Sequence, residues 1–311
     1  MKTNVYALRI KDATELMNSS SGGAFTAISD VFLKKGGAIV SAVYNYQTNQ
    51  NEFTLYTTKE MRDMARGSKY MQSYPLNSFA EAAAWVEAQN KELLFVGMGC
   101  QADGFRIYSE AKGIRDKVTI VDIICHGVPS PKLWKDYVGG KVEFVNFKDK
   151  RNGWGSPTAY VKQNGKEKSI TDYVSLFYSK CVLRPSCYEC PYAKLERQVD
   201  ITIGDFWGID KVMPEFYSAS GNSLVLVHTP KGMDLFESIK DDVEWRESNT
   251  VDCLQKNLIA PTERSPKRFK FWTSYYRGGI NKVLRENKYA VLIGKIKLKS
   301  KRILHKIAGK A

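Results

Sequence analysis

Two short apolar runs set the frame of this sequence. Leu93-Leu94-Phe95-Val96-Gly97-Met98 and Val118-Thr119-Ile120-Val121-Asp122-Ile123-Ile124 are nearly continuous in apolar residues, the pattern of strands buried on both faces. Around them, helix-like and strand-like segments alternate. Ser19-Ser20-Ser21-Gly22-Gly23 precedes a predicted helix over Ala24 to Lys34, Gly36-Gly37 stops it, and Ala38 to Tyr44 reads as the next strand. Helices are also predicted over Ser78 to Gln89 and Lys132 to Val138. This alternation predicts an α/β fold, its mixed sheet at least partly parallel and flanked by helices.

From about Lys141 the pattern shortens. Thr158 to Lys162 and Lys168 to Thr171 flank Asn164-Gly165, a hairpin signature. A strand at Asp200 to Gly204 runs into the aromatic turn Asp205-Phe206-Trp207-Gly208, and strand Ser223 to His228 with helix Met233 to Ile239 restores α/β character. The predicted division is a 1–140 α/β part, a 141–280 part with a cysteine-rich insertion and further α/β elements, and a 281–311 basic amphipathic tail.

The 311 residues are 43% apolar, enough for a sizeable core. No run of about 18 apolar residues spans a bilayer and no leader pattern opens the sequence, so a cytoplasmic protein is expected. The net charge of +14 is uneven: residues 281–311 hold ten basic residues against one acid, a net of +9. Apolar residues from Tyr289 to Ile307 recur there at helical spacing, which predicts a basic helix lying on an anionic membrane surface or packed on the body. Nucleic acid is disfavoured as a partner, since the tail has neither a recognition motif nor an aromatic platform.

Six cysteines give the sharpest chemical signal. Cys187 and Cys190 form a Cys-x2-Cys pair followed by proline, while Cys100 and Cys125 directly follow the two apolar runs. Strand ends at one sheet edge thereby bring thiols together, and in a reducing compartment such thiols are metal ligands rather than disulfides. Cys181 is a reserve ligand and Cys253 is expected as a buried helix thiol. A second signal lies at Ser20, Ser21, Gly22 and Gly23, where hydroxyls and open amides at a helix start suit a phosphate or simply cap the helix. Lys69 is a further anion contact.

Taken in order, Ser20-Ser21-Gly22-Gly23, Gly67-Ser68-Lys69-Tyr70, Gly97-x-x-Cys100-Gln101, Cys125-His126-Gly127-Val128-Pro129-Ser130, Cys187-x2-Cys190 and Asp200-Ile-Thr-Ile-Gly204-Asp205-Phe206-Trp207-Gly208 resemble the beta subunit of coenzyme F420-reducing hydrogenase and dehydrogenase. The resemblance spans nearly the whole chain. It implies an iron-sulfur flavoprotein oxidoreductase in which a 4Fe-4S cluster exchanges electrons with FAD, and the flavin exchanges hydride with a deazaflavin coenzyme or another substrate. It also implies Cys100, Cys125, Cys187 and Cys190 as cluster ligands and Ser20, Ser21, Gly22, Gly23, Ser68, Lys69 and Gln101 as cofactor contacts. No catalytic side chain is singled out.

The branch resembled most closely is associated with bacterial surface-polysaccharide loci. Where the family has Gly-Thr-Pro-Cys-Gln, this chain has Gly97-Met98-Gly99-Cys100-Gln101, and no ferredoxin-like segment leads the sequence, so a separate electron-transfer protein is expected. The alternative is a non-redox protein whose four cysteines hold zinc, attached by its tail to a membrane-associated glycan-assembly complex.

Overall fold

The computed structural model describes residues 3–286. A nine-stranded sheet is built from β1 (Asn4–Ile10), β2 (Ala38–Asn45), β3 (Gln50–Tyr56), β4 (Ser73–Tyr74), β5 (Leu93–Met98) and β6 (Val118–Ile123), completed by three later strands. Between these two groups lies a separate antiparallel sheet of β7 (Phe144–Asn146), β8 (Tyr160–Gln163) and β9 (Lys166–Ser169). The later strands of the large sheet are β10 (Ile201–Asp205), β11 (Ser223–Val227) and β12 (Val243–Ser248), and the strand order is β12-β1-β11-β10-β6-β5-β2-β3-β4. β10, β6, β5 and β2 run parallel in its centre, so their C-terminal ends share one edge.

Helices cover both faces of the sheet. On one face α2 (Ala24–Lys34), which follows the short α1 (Ala13–Asn18), packs Ala27, Ile28 and Phe32 on Leu8, Ile39, Leu94 and Val121. On the other face, α4 (Ser78–Gln89), which follows α3 (Lys59–Ala65), and α5 (Gly99–Ala111) place Ala82, Val86 and Phe105 against Val40, Phe95 and Ile120. This two-sided burial explains why β5 and β6 read as continuous apolar runs rather than alternating ones.

A second core holds the smaller sheet. Trp134 of α6 (Pro131–Val138) and Tyr173 and Phe177 of α7 (Thr171–Tyr178) pack with Phe147, Leu183, Tyr188 and a helix that begins at 268 and continues to 286. Strand β1 lies between β11 and β12, so residues on either side of the expected boundary at 140 share one sheet, whereas the small sheet belongs wholly to 141–280. Of the expected basic tail, residues 281–286 continue this helix and the remainder lies outside the described residues. Among the described residues no helix is long and apolar enough to cross a membrane.

Candidate functional site

The shared edge of the parallel strands gathers the chemistry. β5 and β6 are neighbours in register, Met98 opposite Ile123, so the chain leaves both strands at the same level. After β5 it turns directly into α5, whose first turn carries Cys100, and after β6 it enters the loop carrying Cys125. Cys187 lies in a 3-10 turn over Pro185–Glu189 and Cys190 follows it. That turn is fastened beside Cys125 by an antiparallel bridge between Pro129 and Leu183 and by the Arg184 amide donating to the Val128 carbonyl at 2.9 Å.

Gly127 makes the junction close. At φ +114° it occupies a region that L side chains rarely adopt, and a Cβ there would stand 2.8 Å from Leu183 Cδ1 and 3.1 Å from Cys187 Cβ. Its amide donates to Cys125 Sγ at 3.3 Å.

The four thiols sense one another. Burial pushes the Cys125 thiol up to about 12, the Gly127 amide offsets part of this, and Cys187, Cys100 and Cys190 add to the rise. Cys100 is raised by burial and then by Cys190 and Cys187, and Cys187 is raised by burial, eased by the Val128 backbone, with Cys190 opposing ionisation. Thiolates so placed need a cationic centre among them. Among the described residues no three His, Cys, Asp or Glu side chains are gathered as tightly as one metal ion requires.

Cys181 stands apart from this group. It is buried in the second core, its thiol 3.3 Å from Ser265 Oγ and its carbonyl accepting from Trp272 Nε1 at 3.1 Å. Cys253 is fully buried beside Phe206 and Leu224 as expected, but in the turn at 250–253 rather than in a helix.

A cavity of about 270 Å³ opens beside the cysteines, walled by Gly97, Gln101, Ile124 and Asp205 from the strand ends and by Ser20, Ser21, Gly23, Ser68 and Lys69 from facing loops. This is where open α/β sheets bind ligands. Phe25, Val96 and Ile203 supply apolar lining, and the first turn of α2 contributes a positive helix end. Gln101 and Ile124 are chain neighbours of Cys100 and Cys125, so cavity and thiol group meet across single residues.

Six of the seven expected cofactor contacts line this cavity, and several have prior engagements. Ser20 Oγ accepts from the Ser68 amide at 2.7 Å, joining two loops. Gln101 bridges the Met98 amide at 3.1 Å and the Ser73 carbonyl at 3.3 Å. The Lys69 ammonium donates to the carbonyls of Ala65 at 2.7 Å and of Arg66 and Gly67 at 3.2 Å, capping α3, and burial brings it down to about 7.

Gly22 corrects the sequence reading. It does not line the cavity; its amide donates to Ser223 Oγ at 2.9 Å, and a Cβ would stand 2.2 Å from the Leu8 carbonyl oxygen. Packing of this loop against β1 and β11, rather than approach of a phosphate, demands the glycine.

The sequence reading passed over a polar cluster at the cavity wall. Asp205 Oδ1 accepts from Lys148 Nζ at 2.6 Å and from Trp154 Nε1 at 2.7 Å, and the Trp154 ring stacks on Trp207 with centroids 4.8 Å apart and planes at 5°. Beneath it the Lys150 ammonium donates to the carbonyls of Leu16 at 2.7 Å, Ser220 at 2.6 Å and Ser21. Burial, followed by repulsion from Lys148, brings Lys150 down to about 7. Tyr70 stacks on Phe177 at 4.3 Å, with its hydroxyl 3.2 Å from that of Tyr178. Nearby, the buried His126 Nε2 has no hydrogen-bond partner, and burial holds this imidazole below its usual range. Asp205, Trp207, Tyr70 and His126 fell within recognised motifs; Lys148, Lys150 and Trp154 carry no local signal.

A solved structure of the F420-reducing [NiFe] hydrogenase complex from Methanosarcina barkeri contains a chain similar to this one, with a TM-score of 0.55 and 18% identity, covering 90% of this chain and 94% of that chain. At that identity the likeness speaks for the fold. No curated protein sequence matches. The family profile for the C terminus of the coenzyme F420 hydrogenase/dehydrogenase beta subunit matches residues 90–252, a span that includes all four gathered cysteines and the Asp205 turn, and the chain therefore belongs to the coenzyme F420 hydrogenase/dehydrogenase beta subunit family.

Proposed function

We propose that this chain is an iron-sulfur flavoprotein oxidoreductase. Cys100, Cys125, Cys187 and Cys190 are the cluster ligands in this reading, and the adjoining cavity receives a flavin ring. The observation that carries it is the meeting of four soft thiols from three chain segments with a cavity walled by their own sequence neighbours. Membership of the coenzyme F420 hydrogenase/dehydrogenase beta subunit family, whose profile covers all four cysteines, favours an iron-sulfur cluster over the zinc alternative.

The cavity also fits its part. Its volume of about 270 Å³ lies near the lower end of ligand sites, roughly 300–1,000 Å³, so it suits a ring system with the remainder of an FAD leaving through the mouth. When bound, cluster and flavin would supply one-electron and hydride chemistry respectively. The chain's own residues position and insulate: the α2 start offers its dipole to a phosphate, Phe25, Val96 and Ile203 exclude water, and Lys150 ties the serine loop to the 218–222 turn. The stacked Trp154 and Trp207 adjoin the cavity through the Trp154 bond to Asp205 and would offer an aromatic surface to a second substrate there.

That substrate is a deazaflavin coenzyme or, on the resemblance to the surface-polysaccharide branch, an intermediate of glycan assembly. Electrons are exchanged with a separate protein. Anaerobic purification followed by iron, sulfide, zinc and flavin analysis tests the reading: about four irons and four sulfides with bound flavin support it, and stoichiometric zinc without iron or flavin refutes it.

A further inference from the structure

The helix that begins at 268 is packed on one side and bare on the other. Phe271, Tyr275, Ile280 and Val283 are buried in the second core. Facing away from it, Phe269 is 84% exposed and Tyr276 is 81% exposed. These two aromatics are seven residues apart, two helical turns, and so lie on one line along the helix. Lys270 and Arg277 follow them at the same spacing and are exposed as well.

The charge around this line is predominantly positive. From 264 to 311 the sequence has fifteen basic residues against one acid, Glu286. Two basic residues of 264–285 are engaged with the body: Arg268 donates to the Leu183 carbonyl at 2.8 Å and to the Tyr188 hydroxyl at 2.9 Å, and Arg264 pairs with Glu189 at 3.7 Å. Lys270 and Arg277 make no such contact among the described residues.

We propose that this outer face docks on an anionic lipid bilayer, with Phe269 and Tyr276 at the boundary between headgroups and acyl chains and Lys270 and Arg277 against lipid phosphates. Exposed rings set beside cations match both layers of such an interface, apolar below and anionic above. A soluble polyanion would meet the cations and leave the rings in water, which makes lipid the better fit. The surface lies outside the cavity and the cysteine group, so the inference is independent of the redox reading.

The test uses the full chain and sedimentation with vesicles of phosphatidylcholine alone or mixed with phosphatidylglycerol. The protein should sediment with the mixed vesicles and stay in solution with the neutral ones. Phe269→Ser with Tyr276→Ser should weaken partitioning at least about tenfold, and Lys270→Glu with Arg277→Glu should abolish it at physiological salt, both with unchanged iron content. Phe269→Trp, read as a difference spectrum against the wild type, should shift its emission to the blue on adding mixed vesicles. Wild-type binding that ignores lipid charge, aromatic variants that bind like wild type, an unmoved Trp emission, or equal binding to heparin and vesicles regardless of the two rings would overturn the proposal.

Discussion

Gly127→Ala is the most informative single change, because the geometry separates two costs. The added methyl meets a φ of +114°, which strains an L residue by about 1–2 kcal/mol, and approaches Leu183 Cδ1 to 2.8 Å and Cys187 Cβ to 3.1 Å. Overpacking of that order costs about 1–3 kcal/mol more, for a total of about 2–5 kcal/mol. Gly113→Ala is the control, since φ is +70° there and nothing lies within 4 Å of the added methyl, leaving strain alone.

The excess cost at Gly127 falls on the contact that sets Cys187 beside Cys125. Urea unfolding of both variants measures the stability difference, and iron release to a chelator measures the site. Gly127→Ala should lose iron about tenfold more readily, as expected when support behind a ligand is disturbed, while Gly113→Ala should retain it. Equal stability losses and equal iron retention in the two variants would sink the argument that Gly127 holds the cysteine segments together.

Cys125→Ser should lower iron content sharply, a hydroxyl being a poor substitute for a soft thiolate, whereas Cys181→Ser should keep its iron and lose only core stability; iron and sulfide analysis of both decides. Gly22→Ala should destabilise the whole chain without selective loss of flavin, because its Cβ meets the Leu8 and Ser223 backbones; flavin loss with unchanged unfolding would return this glycine to the cofactor contacts. His228, buried between Thr3 and Thr202, is lowered from 6.5 to about 4 by burial first, then by Arg197. The unfolded chain therefore takes up this proton at a pH where the folded chain refuses it, so stability is full above about 6.5 and falls by up to about 3 kcal/mol as pH drops to about 4. His228→Asn should flatten that slope in pH-dependent urea unfolding.

What the sequence made legible was the part written in local periodicity. The apolar runs, the helices over Ala24–Lys34 and Ser78–Gln89 and the strand over Ala38–Asn45 appear where the pattern predicts them, because burial on a sheet forces such runs. The hairpin was found from Asn164-Gly165, yet its second strand is Lys166–Ser169 rather than Lys168 to Thr171. Both turn residues take positive φ, 51° and 72°, in a two-residue turn that lets the strand resume at once. All four residues of that strand are exposed, so no apolar alternation marks it. Cys100 was expected at a strand end; it also opens α5, which the Gly97-Met98-Gly99 run disguised as loop.

The residues that escaped the sequence reading share a physical reason: their partners are distant along the chain. Lys150 binds carbonyls at Leu16, Ser21 and Ser220, and Lys148 and Trp154 converge on Asp205. An isolated lysine gives no sign of such partners, whereas a cysteine pair announces its chemistry by spacing alone. The division has a consequence for how the site fails. The thiol group is held by Gly127 and the Pro129–Leu183 bridge, while the cavity is held by Lys150 and the Ser20–Ser68 contact. Lesions in the first set should therefore cost iron before flavin, and lesions in the second flavin before iron, although Gln101 and Ile124 join the two regions across a single residue each.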